Sequence, residues 1–487
     1  MYEPKQITLS DIFTGCLDSL ENDKPRFLSL VEEHIDLDAL IPKSFYEHFY
    51  QRFGRPRKYP LRAFLWALII QRIFSIPTDR LLIVFLTYSP ELRKFCGFTK
   101  APDASKFTRF KQCFTEDLQL MFDGLVDLTE PILQEIDGEM ASMTIFDTSG
   151  VESYVRENNP KYADSIIKGL KAWKKVNDID DSYDPYKAAY SRMPAHAAAN
   201  PSIKQMYANG HFCYAYKFGI VTNGLGIVRD IAFYDEAFFA GHPEIEISKK
   251  SNSPDVDKSI GDARALLPTL RDFFGKHPQI KPGSFLGDTA FDTIDIYSGL
   301  LAENGLGFSK AFIPTNERRG LDYPDCPLNE DGVPCCPNDP SLPMRQEGNT
   351  SHLHCKKPTL KFVCPKMKWK QCDDGKYRRR TSCEDPCTTS PCGRMFYVYP
   401  EKNLRAFPGT VRGTDEWDNT YKTRCSVERT INHFKDSLGL AGRRTQNAAT
   451  TKADLFLVGI TQQLSVLLAD AIHRYEFLRS IKPLIAA

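Results

Sequence analysis

A chain of 487 residues is long enough for two or three domains with substantial cores. With 42% hydrophobic and 26% charged residues it reads as globular, which excludes a disordered or fibrous class. The formal net charge of +1 excludes a general basic field, so any nucleic-acid contact has to come from local patches.

Residues 1–140 read as an all-helical N-terminal domain, with strongly apolar stretches from Leu61 to Phe74 and Leu81 to Leu86 punctuated by Pro60, Pro77 and Pro90. Arg52, Arg55, Arg57, Lys58 and Arg62 form a basic run before the first of these. Asp103-Ala-Ser105-Lys106-Phe-Thr-Arg109-Phe-Lys111 has the look of a capped helix start with a basic face. The opening Met1 to Gln6 lacks the basic-then-apolar order of a secretory leader.

From Met143 the pattern turns to strands. Met143-Thr-Ile-Phe-Asp147 is an apolar run closed by a carboxylate, and Ser284-Phe-Leu-Gly-Asp288 is a second. Between them, the polar stretch 156–208 reads as an insertion with some helix. Phe212–Val221 and Gly226–Tyr234 read as two strands joined by a hairpin turn at Thr222-Asn-Gly224. Ile260–Phe274 is predicted as an amphipathic helix, and Ile294–Asn304 as the helix after the second carboxylate. Residues 141–314 thus form the first part of an α/β core, and 401–487 its C-terminal part.

Residues 315–400 interrupt that core. Nine of the 14 cysteines fall between Cys326 and Cys392. In a reducing compartment such clustering favours metal over disulfides, and structural zinc takes four tetrahedral Cys or His ligands. Cys355, Cys364, Cys383, Cys387 and Cys392 are candidate zinc ligands, with His352, His354 and the other cysteines of the segment, Cys336 among them, as further donors. No CxxC pair fixes the set. Ten basic residues from Lys356 to Arg380 face only Asp373 and Asp374, with Trp369 and Tyr377 interleaved, a composition suited to a phosphate backbone. Ala453–Ile472 is apolar but carries Gln462, Gln463 and Asp470, so it is expected to be a core helix and not a membrane span.

The stretch Tyr421-Lys-Thr-Arg424-Cys-Ser-Val-Glu428-Arg-Thr-Ile-Asn-His-Phe-Lys435 places four polar residues at steps of three, four and seven, which return to one face of an α-helix. On its own this also suits a solvated face with an Arg424–Glu428 ion pair. Tyr-x2-Arg-x3-Glu-x6-Lys resembles the signature of a large group of DDE transposases from bacterial insertion sequences. Phe146-Asp147-Thr148-Ser149 and Gly287-Asp288-Thr289-Ala290-Phe291-Asp292 look like that group's two aspartate motifs, with Phe291 where tyrosine is common and read as a packing position. Phe53-Gly-Arg-Pro-Arg57 and Pro102-Asp-Ala-Ser-Lys-Phe107 look like its N-terminal helical region.

The resemblance implies a ribonuclease H-like core whose first and fourth strands are neighbours, bringing Asp147 and Asp288 together. It implies that Asp147, Asp288 and Glu428 hold two Mg²⁺ ions, and that Tyr421, Arg424 and Lys435 contact DNA. The resemblance further implies cleavage at the inverted-repeat ends of a mobile element and transfer to target DNA, by a homodimer formed on DNA, in the cytoplasm at the nucleoid and without a membrane. The competing expectations are a transposase-derived DNA-binding protein without catalysis and a ribonuclease H-like nuclease acting on other substrates.

Overall fold

The computed structural model describes residues 25–51, 55–180, 182–208, 211–245, 247, 259–316, 321, 326–350, 359–442 and 444–485. It is a mixed α/β protein. Arg52 of the basic run, Phe53 and Gly54 of the Phe53–Arg57 motif, Asp181 of the polar stretch, and His352, His354, Cys355, Lys356 and Lys357 of the insertion lie outside the described residues.

The N-terminal third is helical. Helix α1 (Leu61–Ile73) is apolar on every side and buried along nearly its whole length. A helix of that kind is stable only when other elements surround it. Those elements include α2 (Ala104–Cys113), whose Phe107 and Phe110 meet Phe64, and, from the far end of the chain, α6 (Ala448–Ala471), which packs in turn on α3 (Thr115–Ile136). Helix α6 is long and apolar enough to cross a membrane, but 89% of its most apolar window is buried inside this fold.

The polar residues of α6 explain its placement. Gln462 accepts from the Val228 amide at 2.9 Å and donates to the Gly226 carbonyl, while Gln463 donates to the Val228 carbonyl and accepts from Thr129 at 2.6 Å. Each buried amide is thus paired with backbone of the sheet or with α3, as burial requires. The helices and the sheet share one continuous apolar core.

The main sheet runs β2 (Lys204–Ala208), β3 (His211–Thr222), β1 (Met143–Glu152), β5 (Ser284–Leu286), β6 (Lys310–Phe312), with β4 (Val228–Phe233) on the other half of β3. Strands β1 and β3 are antiparallel, whereas β1, β5 and β6 are parallel. The parallel pairing needs a crossover, supplied by α4 (Asp262–Lys276) between β4 and β5. The β3–β4 connection is longer than the expected Thr222-Asn-Gly turn. Asn223 accepts from the Ile227 amide through Oδ1, and Gly226 adopts φ +78°, so β4 starts only at Val228.

Residues 326–398 build a separate set of small sheets: β7 (Cys335–Cys336) with β8 (Asp339–Pro343), β9 (Arg345–Thr350) with β10 (Thr359–Val363) and β13 (Met395–Val398), and the ribbon β11 (Met367–Gln371) with β12 (Tyr377–Thr381). Their apolar clusters are small, the larger resting on Met344, Phe362, Val398, Ala406, Phe407 and Val411.

Candidate active site

Strand β1 is ten residues long, so Asp147 is a mid-strand residue and does not end its strand. The reason is the unequal length of its neighbours. Pairing with β5 stops at Ile145, while pairing with β3 continues to Glu152. Asp147 is therefore the second residue beyond the point where the parallel neighbour falls away. Asp288 follows the end of β5 by two residues and caps a 3₁₀ turn, accepting from the Thr289 amide at 2.6 Å. The two aspartates leave adjacent parallel strands on the same side.

Glu428 arrives from α5 (Cys425–Asn432). Its partner Arg424 joins all three carboxylates. The guanidinium Nη2 lies 3.4 Å from Asp147 and 3.6 Å from Asp288, and Nη1 contacts Glu428. The Arg424 side chain is 13% exposed, and its Nε is buried without a hydrogen-bond partner among the described residues. Burial pushes the Asp147 carboxyl up to about 6, against the opposing pull of Arg424 and the Thr148 amide. The three carboxylates together hold the guanidinium charged despite its desolvation.

The four-residue stripe is not one α-helix. Residues Asp415–Tyr421 are α-helical, Lys422–Arg424 form a 3₁₀ turn, α5 follows, and His433–Ser437 widen into a π turn. Such π segments cluster at functional sites because they re-aim side chains. Here the widening turns Lys435 away from the carboxylates. Its ammonium donates to Ser149 Oγ at 2.6 Å, on β1 two residues beyond Asp147. Tyr421 stacks on Trp417 with centroids 4.8 Å apart, and burial pushes its hydroxyl up to about 12. Asp147, Asp288, Glu428 and Arg424 therefore converge. Tyr421 flanks them, and Lys435 braces β1 through Ser149.

Phe291 is packed against Phe146 and Phe285, as the sequence suggests for that position. Asp292 is wholly buried and held by Arg405 through two bonds of 3.0 and 2.7 Å, so it is a structural carboxylate. One polar residue near the site was not visible in the sequence. Asp262, at the start of α4, accepts from Thr148 Oγ1 and from Lys217 Nζ, and so supports the residue next to Asp147. No periodic pattern marks a contact between residues so far apart in the chain.

Among the described residues one group brings three ligand atoms within 4.8 Å of one another, and it is not the three carboxylates but Glu152, His211 and Cys213, at the other end of β1 and on β3. His211 and Glu152 pair there at 3.0 Å.

The β11–β12 ribbon carries the basic residues in an ordered way. Lys368 is opposite Arg380 and Lys370 opposite Arg378, alternating with Met367–Thr381, Trp369–Arg379 and Gln371–Tyr377. Facing residues share a side of the ribbon, so four cations lie on one face. On the other face Arg379 covers the Trp369 ring at 5.0 Å and pairs with Glu347 at 2.7 Å.

Residues 16–113 match the family model described as "Transposase domain (DUF772)". That match supports a transposase family for this chain, and with it DNA as the partner. It ends at the last residue of α2 and so does not reach any of the three carboxylates. No curated protein and no solved structure matches the chain.

Proposed function

We propose that this protein is a DDE transposase that cleaves DNA at the ends of its own mobile element and joins those ends to target DNA, with a ribonuclease H-like core. The observation that carries the proposal is the meeting of Asp147, Asp288 and Glu428 around one guanidinium. The sheet order supports the same core: β4, β3, β1, β5, β6, with the central strand parallel to its neighbour on one side and antiparallel on the other.

The donor set fits Mg²⁺. Three carboxylates are hard oxygen donors, and the cation they now surround is the Arg424 side chain. Asp147, Asp288 and Glu428 would hold the ions, which when bound supply activation of the attacking hydroxyl and charge neutralisation at the leaving oxygen. The chain's own residues do the rest. Arg424 contributes a fixed positive charge and a buried Nε donor, suited to a phosphate near the cut. Lys435 and Asp262 hold β1 through Ser149 and Thr148, the two residues that follow Asp147. In the first step a water oxygen attacks phosphorus and the bond to the 3′ oxygen breaks. In the second, the freed 3′ hydroxyl attacks a phosphodiester of the target, its proton is lost, and the target's own bond from phosphorus to the 3′ oxygen breaks to leave a 3′ hydroxyl there. The cationic face of the ribbon and the basic N-terminal helices would hold DNA, two copies of the chain pairing the two element ends at the bacterial nucleoid.

The test is a cleavage and strand-transfer assay on the element's inverted-repeat ends, comparing wild type with Asp288→Ala. Retained strand transfer by the variant would overturn the proposal.

A further inference from the structure

The segment around the ribbon has little apolar mass of its own, yet it folds into seven short strands. Small modules of that kind usually need a staple beyond their core. One cavity of about 270 Å³ sits among these strands, and four cysteines line it: Cys336, Cys364, Cys383 and Cys387. They come from different parts of the segment. Cys336 belongs to β7, Cys364 follows β10, and Cys383 and Cys387 belong to the loop after β12. Cys364 stands three residues before β11 and Cys383 two residues after β12, so a thiol lies at each root of the ribbon. The roots are closed by the Ser382 amide and hydroxyl on the Lys366 carbonyl, at 3.1 and 3.0 Å. The Cys336 and Cys364 thiols lie near enough to Cys387 to act on it electrostatically, but no three of the four thiols lie within 4.8 Å of one another. Gly393 is needed beside them. It has φ +77°, and a Cβ there would come within 3.0 Å of the Cys364 Cβ.

We propose that Cys336, Cys364, Cys383 and Cys387 form a four-thiolate site for a structural zinc ion that clamps the roots of the β11–β12 ribbon. Four thiolates at about 2.3 Å suit tetrahedral Zn²⁺ and leave no open position for catalysis. The site needs the 383–387 loop to draw inward onto Cys336 and Cys364, which makes the loop the metal-sensitive part. Cys392 does not line the cavity, and Cys355 is outside the described residues. The assignment does not depend on the DNA chemistry proposed above.

The test uses the full chain, purified without chelator. The expected result is about one zinc per chain, lost in Cys383→Ser/Cys387→Ser and in Cys364→Ser. Zinc retained in Cys213→Ala would separate this site from the Glu152–His211–Cys213 group. Wild type needs no variant to be informative. Its four thiols should resist alkylation until a chelator is added, and Co²⁺ exchanged into the site should give the charge-transfer absorption of tetrahedral thiolate coordination. Zinc that depends on Cys213 alone, a Cys336–Cys387 disulfide by mass spectrometry, or four rapidly alkylated thiols in metal-free protein would each overturn the proposal.

Discussion

Arg72 and Asp454 form a buried ion pair at 2.6 Å, bridging 382 positions of the chain. Lys111 joins them, 3.3 Å from Asp454 and 2.9 Å from Asp79. The helices that match the transposase family model are thereby fastened to the helix that closes the core.

Removing one partner of such a pair leaves an uncompensated buried charge, at a cost of about 3–5 kcal/mol. Asp454→Ala leaves Arg72 without its carboxylate, while Lys111 keeps Asp79, and should fall within that range. Denaturant unfolding should show this loss, and the Arg72→Met/Asp454→Leu double variant should recover much of it. Equal losses in the single and double variants would mean that packing, not charge, dominates at this position.

Asp147 should make stability depend on pH. Its carboxyl is pushed from 3.8 up to about 6, so the folded protein holds a proton that the unfolded chain releases. The stabilisation from this group is complete below about pH 4 and is lost as pH rises through about 6. Asp147→Asn removes the ionisation and should gain on the order of 2 kcal/mol over wild type above that range, with no gain near pH 4. Melting temperatures of both proteins across pH 4–8, without divalent ions, check this. Divalent-ion binding by wild type should weaken below about pH 6, where the proton competes.

Arg424→Ala should have the opposite effect. Three carboxylates would then meet without their shared cation, and like charges at short range raise one another's proton affinity. The variant should melt below wild type at neutral pH, and Mg²⁺ should restore more stability to it than to wild type. Equal Mg²⁺ responses in both proteins would argue against a divalent site at these residues.

The ribbon can be tested by salt. Directly opposed cations such as Lys370 and Arg378 destabilise an isolated sheet pair, and a polyanion relieves them. Lys370→Ala and Lys368→Ala should each weaken DNA binding across sequences and lower the salt slope by about one. The free protein should melt no lower than wild type. An unchanged slope would remove this face from the DNA interface.

Much of the site was legible in sequence because strands and helices announce themselves locally. The apolar runs before Asp147 and Asp288 and the steps from Arg424 to Glu428 rest on periods of two and 3.6 residues. Lys435 was placed less well. A stripe drawn on a uniform α-helix misses the π turn at His433–Ser437, which swings the ammonium to Ser149. Asp262, and the choice of a ligand set among the cysteines, were beyond reach for a related reason. These residues meet their partners only after distant segments have folded together, and no local pattern carries that information.

The carboxylates arrive in the order of synthesis, with the insertion delaying the third. Asp147 and Asp288 emerge on strands that already pair, but Glu428 follows the whole ribbon segment, and α6 follows Glu428. Helix α1 lacks one of its main packing partners, and Arg72 its counter-ion, until residue 454 is made. A nascent chain therefore presents the helices that match the transposase domain before it has either a finished core or a third carboxylate. The carboxylate cluster and the core are completed in one late event, so a copy ending before α6 would lack the helix to which Arg72 and Lys111 are fastened.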